Sequence, residues 1–257
     1  MKVTILLILL FQSSALLAKD TISAKSYMIE ETNSKKILDR KNTTTSLPMA
    51  SITKLPTALL VSKNKNLNEY IKVTKTTVRR NEGDKSAFLT EGEFYTRKDL
   101  LLTMLVSSTN VSALSLATDV SGSPENFVND LNSWAKENKL TATKFGDTFG
   151  LSPDSKSSVD DISKILDLVE QNKSLYEILT TTDYSIKEKN GKNQNLTTTN
   201  EMPTYKDFKI FGKTGTTKLA GKCFAGFITK GDNRWKIIVL GSENVFSDIK
   251  NLIQLVK

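Results

Sequence analysis

Residues 47–55 read Leu47-Pro48-Met49-Ala50-Ser51-Ile52-Thr53-Lys54-Leu55, placing a serine and a lysine three apart at the head of an apolar run that carries on through Leu59 to Val61. Side chains three apart on a helix are neighbours, so Ser51 and Lys54 share a face. The serine also stands at the helix N-terminus, where the backbone is positive. A lysine amine that is desolvated, or set beside a second cation, gives up its proton more readily and then serves a hydroxyl as base. The same spacing recurs at Ser62/Lys65, Ser133/Lys136 and Ser247/Lys250. Those pairs fall in a Lys/Asn-rich connector, a polar helix and the terminal helix, and read as surface coincidences.

Composition narrows the chemistry. The 257 residues contain no His and one Cys, so neither a Ser-His-Asp nor a Cys-His hydrolase can be assembled, and the usual His/Cys zinc sets are absent. No metal and no cofactor are expected, and Cys223 has no partner for an internal disulfide. The balance of 36 basic against 28 acidic residues gives +8, a field suited to anionic surroundings such as a cell envelope. Only five of the basic residues are Arg, and the lysines are scattered among acids, so nucleic acid is not an expected partner. With 38% hydrophobic and 25% charged residues the chain is of ordinary globular composition.

Outward from Ser51, two ends frame a helical middle. Residues 1–18 carry one Lys, an apolar run from Val3 to Phe11 and then small residues, the grammar of a signal peptide cut after Ala15 or Ala18. The run is too short for a spanning helix, which needs about 20 apolar residues. The expectation is therefore an exported protein without a stable membrane anchor, with a single domain over 19–257. Tyr27 to Ile29 and Ile37-Leu38 flank a polar turn and predict a hairpin, and Ile71 to Thr74 a short strand. Helical spacing runs over Ile52–Val61, Arg97–Val120 with a break at Ser107–Asn110, Asn126–Asn138, Val159–Asn172 and the C-terminal stretch from Val245. Thr180–Thr204 is polar and predicts loops and short strands. Phe208–Phe211, Cys223–Thr229 and Trp235–Leu240 read as strands, the last two joined through Gly231-Asp232-Asn233. Strands at both ends around central helices predict an α+β fold with one antiparallel sheet closed by the two termini.

Two further motifs follow Ser51-x-x-Lys54. Ser108-Thr109-Asn110 falls where two apolar helical runs break, which presents polar side chains at the edge of a cleft; taken alone, the motif reads better as a plain helix cap. Lys213-Thr214-Gly215 follows the strand Phe208–Phe211, and its bland alternative is a turn. A P-loop is excluded because Asp207 stands where the first glycine would be.

Ser-x-x-Lys, Ser-x-Asn and Lys-Thr-Gly in that order are the signature of penicillin-binding proteins and serine β-lactamases. From about residue 21 onward the chain resembles the low-molecular-mass penicillin-binding proteins, the serine D-alanyl-D-alanine peptidases. The likeness includes Thr90-Glu91-Gly92-Glu93, Leu100 to Leu105, Phe127-Val128, Leu131-Asn132, Phe149-Gly150-Leu151 and Ala220-Gly221 with Cys223. It implies the penicillin-binding, β-lactamase-like transpeptidase fold: an antiparallel sheet flanked by helices, beside a helical half. It also implies roles: Ser51 as acylated nucleophile, Lys54 as its base, Ser108 as proton relay, Asn110 on the substrate amide and Lys213 as a charge near Ser108. Thr214, Gly215 and Thr216 would be the substrate-binding strand, with the Ser51 and Thr216 N–H groups as oxyanion hole. Peptidoglycan peptides are the implied substrate and β-lactams the implied inhibitors.

Two residues depart from the family pattern. Many carboxypeptidases of the family carry an Arg before the terminal helix, where this chain has Val245, and that leaves endopeptidase cleavage of D-alanyl cross-links as a close alternative. Pro56 would cost about 3 kcal/mol inside a helix. A class A β-lactamase would need Glu-x-x-x-Asn well after Ser-x-Asn, and Glu125 to Asn129 comes only fifteen residues after Asn110. An envelope domain that binds β-lactam or peptidoglycan without turnover is the alternative outside enzyme chemistry.

Overall fold

A computed structural model describes residues 22–73 and 89–256. The signal segment 1–18 and Thr74, the end of one expected strand, lie outside the described residues. The main sheet is built from β1 (Ser26–Glu31), β2 (Ile37–Lys41), β9 (Thr204–Tyr205), β10 (Phe208–Thr217), β11 (Gly221–Lys230) and β12 (Asn233–Ser242), in the order β2-β1-β12-β11-β10-β9. Outside it β3 (Leu47–Pro48) pairs with β6 (Lys156–Ser157), β4 (Tyr70–Lys72) with β5 (Phe94–Thr96) and β7 (Asp183–Lys187) with β8 (Asn193–Thr197). Each pairing is antiparallel. The N-terminal strand β1 thus pairs with the last strand β12, and the helical segments enter between them in sequence, as the pattern predicts.

The central strands are buried on both faces because their alternating side chains feed two cores. Met28, Ala225, Phe227, Ile238 and Leu240 point into one; Tyr27, Ile29, Phe224, Ile228, Ile237 and Val239 point into the other. This is the period of two that a pleated strand imposes. The second core is closed by the terminal helix (Val245–Ile253), whose Val245, Ile249, Leu252 and Ile253 recur at helical spacing. The first is closed by the helical half: α1 (Lys54–Asn64), α2 (Arg97–Leu105), α3 (Asn110–Ser121), α4 (Pro124–Glu137), α5 (Val159–Gln171) and α6 (Lys173–Leu179). Lys236 ties the two halves. Its buried ammonium lies 3.0 Å from Glu30 and 2.9 Å from Asp167 on α5, and donates to Ser163 Oγ at 2.6 Å.

Three differences from the sequence reading have local causes. Lys213-Thr214-Gly215 lies inside β10, which continues seven residues beyond Ile210, so the turn alternative is set aside. The helix α6 goes unread because Asn172, which ends α5, also caps the next helix through its side chain. Pro56 incurs no interior penalty: a 3-10 turn at Ala50–Thr53 precedes α1, and Pro56 is the third residue of α1, where the missing N–H has no intrahelical acceptor to lose.

Candidate active site

The 3-10 turn carries Ser51 out of the body of the helix. Ala50 enters it at φ +47°, a left-handed conformation unusual for a residue with a side chain, and its carbonyl accepts from Thr53 Oγ1 at 2.9 Å. Ser51 is half-buried and Lys54, one turn on, is fully buried. The Lys54 amine lies 3.0 Å from Ser51 Oγ, donates to Asn110 Oδ1 at 2.7 Å and reaches Phe149 O at 3.3 Å. Asn110 Oδ1 and the Phe149 carbonyl can only accept. In its neutral form such an amine has two N–H groups and one lone pair, and with both N–H groups on those acceptors the lone pair would face the Ser51 hydroxyl.

Asn110 opens α3 after Thr109, and the break between α2 and α3 is tightly braced. Thr109 N–H donates to Thr103 O at 3.1 Å, and Ser107 Oγ donates to Thr197 O at 2.8 Å. Tyr184 OH donates to Ser107 Oγ at 2.9 Å; burial pushes that phenol up to about 12, so it remains a donor. Ser108 sits in this break at φ +63° and turns toward the cleft.

Strand β10 supplies the facing wall. Gly215 has no side chain because none fits: a Cβ would stand 2.8 Å from Ser51 N and 3.1 Å from Ala50 Cβ. Thr214 Oγ1 is bonded to Thr199 Oγ1 at 2.7 Å, and Thr216 is exposed. Lys213 is fully buried, and its amine donates to Thr214 O at 2.8 Å. Among the described residues it makes no hydrogen bond to Ser108 and no ion pair. Burial first, and the Lys54 charge second, hold Lys213 well below the usual lysine range. Lys236, by contrast, sits between two carboxylates, so Lys54 and Lys213 differ from it in their company.

These groups line a cleft of about 480 Å³ with Ser51, Ser108, Asn110, Thr214, Gly215 and Thr216 on its walls. Leu151, Glu201, Lys222 and the Asn244-Val245-Phe246 segment complete its rim. Cys223 also lines it, but its thiol is buried and pushed up to about 11 by that burial, which keeps it protonated and packed. Glu125 is exposed in the first turn of α4 and is not among the cleft residues. Ser133/Lys136 and Ser247/Lys250 are exposed, and Ser62 is bonded to Leu59 O and Asn172. The sequence reading attaches no role to Phe149 or Thr199. Phe149 acts here through its main-chain carbonyl, which no residue type announces; Thr199 lies in a Thr-rich run that offers no singular signal.

The family model described as D-alanyl-D-alanine carboxypeptidase matches residues 13–244. The chain is 30% identical over 225 residues to D-alanyl-D-alanine carboxypeptidase DacF of Bacillus subtilis (strain 168), covering 85% of this chain and 57% of that protein. It is 29% identical over 240 residues to the D-alanyl-D-alanine endopeptidase of Pseudomonas aeruginosa, covering 90% and 76%. The chain thus spans less than two thirds of the Bacillus relative. Penicillin-binding protein D2 of Listeria monocytogenes in its ampicillin-bound form superposes with a TM-score of 0.79 at 23% identity, over 91% of this chain and 98% of that one. A variant of Streptomyces K15 DD-transpeptidase gives 0.83 at 23%, over 91% and 96%. At that identity the two structures share the fold.

Proposed function

Because the chain belongs to the D-alanyl-D-alanine carboxypeptidase family, we propose that it is an exported serine D,D-peptidase that removes the terminal D-alanine of peptidoglycan stem peptides through an acyl-enzyme on Ser51. The observation that carries the reading is the Lys54 amine 3.0 Å from Ser51 Oγ, its N–H groups taken up by Asn110 and the Phe149 carbonyl. In the first step Lys54 takes the Ser51 proton as Oγ attacks the penultimate carbonyl carbon. The C–N bond to the terminal residue then breaks, and the proton passes to the departing amine, by way of Ser108 at the cleft edge. Water attacks the ester in the second half, with the same groups returning the proton to Ser51.

Charge placement favours this course. The tetrahedral oxyanion forms between the Ser51 and Thr216 N–H groups; the close approach of β10 to Ser51 N at Gly215 supports this pairing. Two buried amines side by side disfavour a second positive charge, which keeps one of them available as a base. Asn110 spends its oxygen on Lys54, leaving its NH₂ for a substrate carbonyl. Thr214 and Thr216 present hydroxyls for the substrate's terminal carboxylate or main chain. β-Lactams would acylate Ser51 by the same attack.

Val245 supports endopeptidase cleavage as a companion activity. It lines the cleft as a buried apolar residue, so no cation at that position selects for a free carboxylate. The test is incubation with a D-alanyl-D-alanine pentapeptide and with cross-linked dimer, reading product masses. Release of D-alanine by the wild type and none by Ser51→Ala supports the reading; turnover by Ser51→Ala refutes it.

A further inference from the structure

Beside Ser51 and Asn110, the Lys54 amine is bonded to a main-chain carbonyl in a loop, that of Phe149. What fixes that carbonyl is one carboxylate. Asp147 Oδ1 accepts from Phe149 N at 3.2 Å, Gly150 N at 2.6 Å and Ser155 Oγ at 3.1 Å; Oδ2 accepts from Leu151 N at 2.8 Å and Ser152 N at 2.6 Å. Four consecutive backbone N–H groups are thereby wrapped around a single side chain. Such a turn needs an acceptor-only group with two oxygens. On its other side the loop is pressed against the nucleophile's own segment. Thr57 Oγ1 on α1 donates to Thr148 O at 2.8 Å, and Gly150 passes so close that a Cβ would lie 1.8 Å from Ala50 O.

We infer that Asp147 is a positioning residue for acylation: its carboxylate sets the turn whose Phe149 carbonyl holds the Lys54 amine on Ser51. The inference rests on the reading of Ser51 and Lys54 above and adds a residue that touches neither substrate nor the reacting atoms. The carbonyl holds an N–H of the amine away from Ser51 and so helps to turn its lone pair toward the hydroxyl. When the turn loosens, the amine gains a free N–H and an extra orientation, and fewer encounters present the lone pair to the Ser51 hydroxyl. Of the turn's residues only Leu151 lines the cleft, and β10 and the α2–α3 break carry most of its wall, so binding before acylation changes little.

Asp147→Asn is the direct probe. Asn keeps one oxygen but aims an NH₂ at two backbone donors, so two of the four N–H bonds are lost. Acylation by a chromogenic penicillin is followed over a range of concentrations to separate the pre-acylation dissociation constant from the acylation rate constant, per active site counted by the labelled fraction. The rate constant should fall by about 10- to 100-fold, the size expected of a misplacement of up to about 1 Å at a base. The dissociation constant should stay within about threefold. Asp161→Asn is the comparison: this buried carboxylate holds Ala142 N at 2.8 Å and Thr143 Oγ1 at 2.9 Å, and has no bond to the 146–152 turn. It should lower Tm and leave the acylation rate constant unchanged. Ser155→Ala, which removes one bond to Asp147, should lower the rate constant by about threefold and serves if Asp147→Asn does not fold. Asp147→Asn or Ser155→Ala acylating at the wild-type rate, or Asp161→Asn slowing it equally, overturns the inference. A Ser51→Ala protein that still forms the adduct would instead overturn the reading beneath it.

Discussion

Gly215→Ala measures how close β10 must lie to the nucleophile. The added Cβ would stand 2.8 Å from Ser51 N, 3.1 Å from Ala50 Cβ and 3.3 Å from Met49 O, and ordinary contact begins at 3.4 Å. The strand and the 3-10 turn must therefore separate by about 0.6 Å, since none of the crowded atoms is the end of a flexible side chain. The backbone of Gly215 is not in a left-handed conformation, so alanine itself adopts it without strain and the effect is steric. Overpacking of this kind costs about 1–3 kcal/mol of stability. The separation also widens the gap between the Ser51 and Thr216 N–H groups. If a displacement of about 1 Å costs roughly 100-fold, 0.6 Å corresponds to on the order of tenfold in acylation rate. The assay pairs penicillin acylation kinetics with urea unfolding. Gly231→Ala is the comparison: it lies at φ +55° with open space around it, so it should lose about 1 kcal/mol through backbone strain and none of the rate. An acylation rate for Gly215→Ala within twofold of wild type would refute the close-approach argument.

Substitutions at three other residues test separate parts of the site. Lys54→Arg and Lys54→Met should each slow penicillin acylation by about 10² to 10⁴, because guanidinium stays protonated and the thioether is no base; near-normal acylation by Lys54→Arg would show that a fixed charge suffices. Lys213 is held below its ordinary range, so between that lowered value and 10.5 the unfolded chain binds a proton that the folded chain does not, and stability rises with pH through that window. Lys213→Met removes this dependence: in urea unfolding its stability relative to wild type should be most favourable at low pH and decline as pH approaches 10.5, and a pH-independent difference contradicts the assignment. Val245→Arg should raise the ratio of D-alanine release from pentapeptide to cleavage of cross-linked dimer, as a charge-assisted bond to a carboxylate contributes about 1.5–3 kcal/mol; an unchanged product ratio by mass spectrometry places selectivity elsewhere.

Motifs carried by side chains at fixed local spacing are legible in the sequence. Ser51 and Lys54 lie on one turn, and Ser108 and Asn110 mark a helix break that the apolar pattern shows. The β11–β12 hairpin declares itself through Gly231-Asp232-Asn233, and strands at both ends around central helices predict that the termini share one sheet. The placement of Lys213 against Lys54 joins strand to helix across 159 positions; nothing local encodes it, and it is legible only through the family resemblance. Other features leave no such trace. The Asp147 turn uses main-chain donors and a main-chain acceptor, whose presence at every residue leaves no compositional trace; only the Asp147-x-x-Gly150 spacing hints at a tight turn. Pro56 misled because the helix start was placed too early, and a 3-10 turn in front of α1 moves it into the first turn.

The most direct test of the account is to locate the acyl group. Wild-type protein is labelled with penicillin, its intact mass is measured, and the modified peptide is sequenced. One adduct on Ser51, lost in Ser51→Ala and formed at a rate lower by at least about 10² in Lys54→Arg, is the predicted result. An adduct on any other residue, or labelling that survives Ser51→Ala, contradicts it.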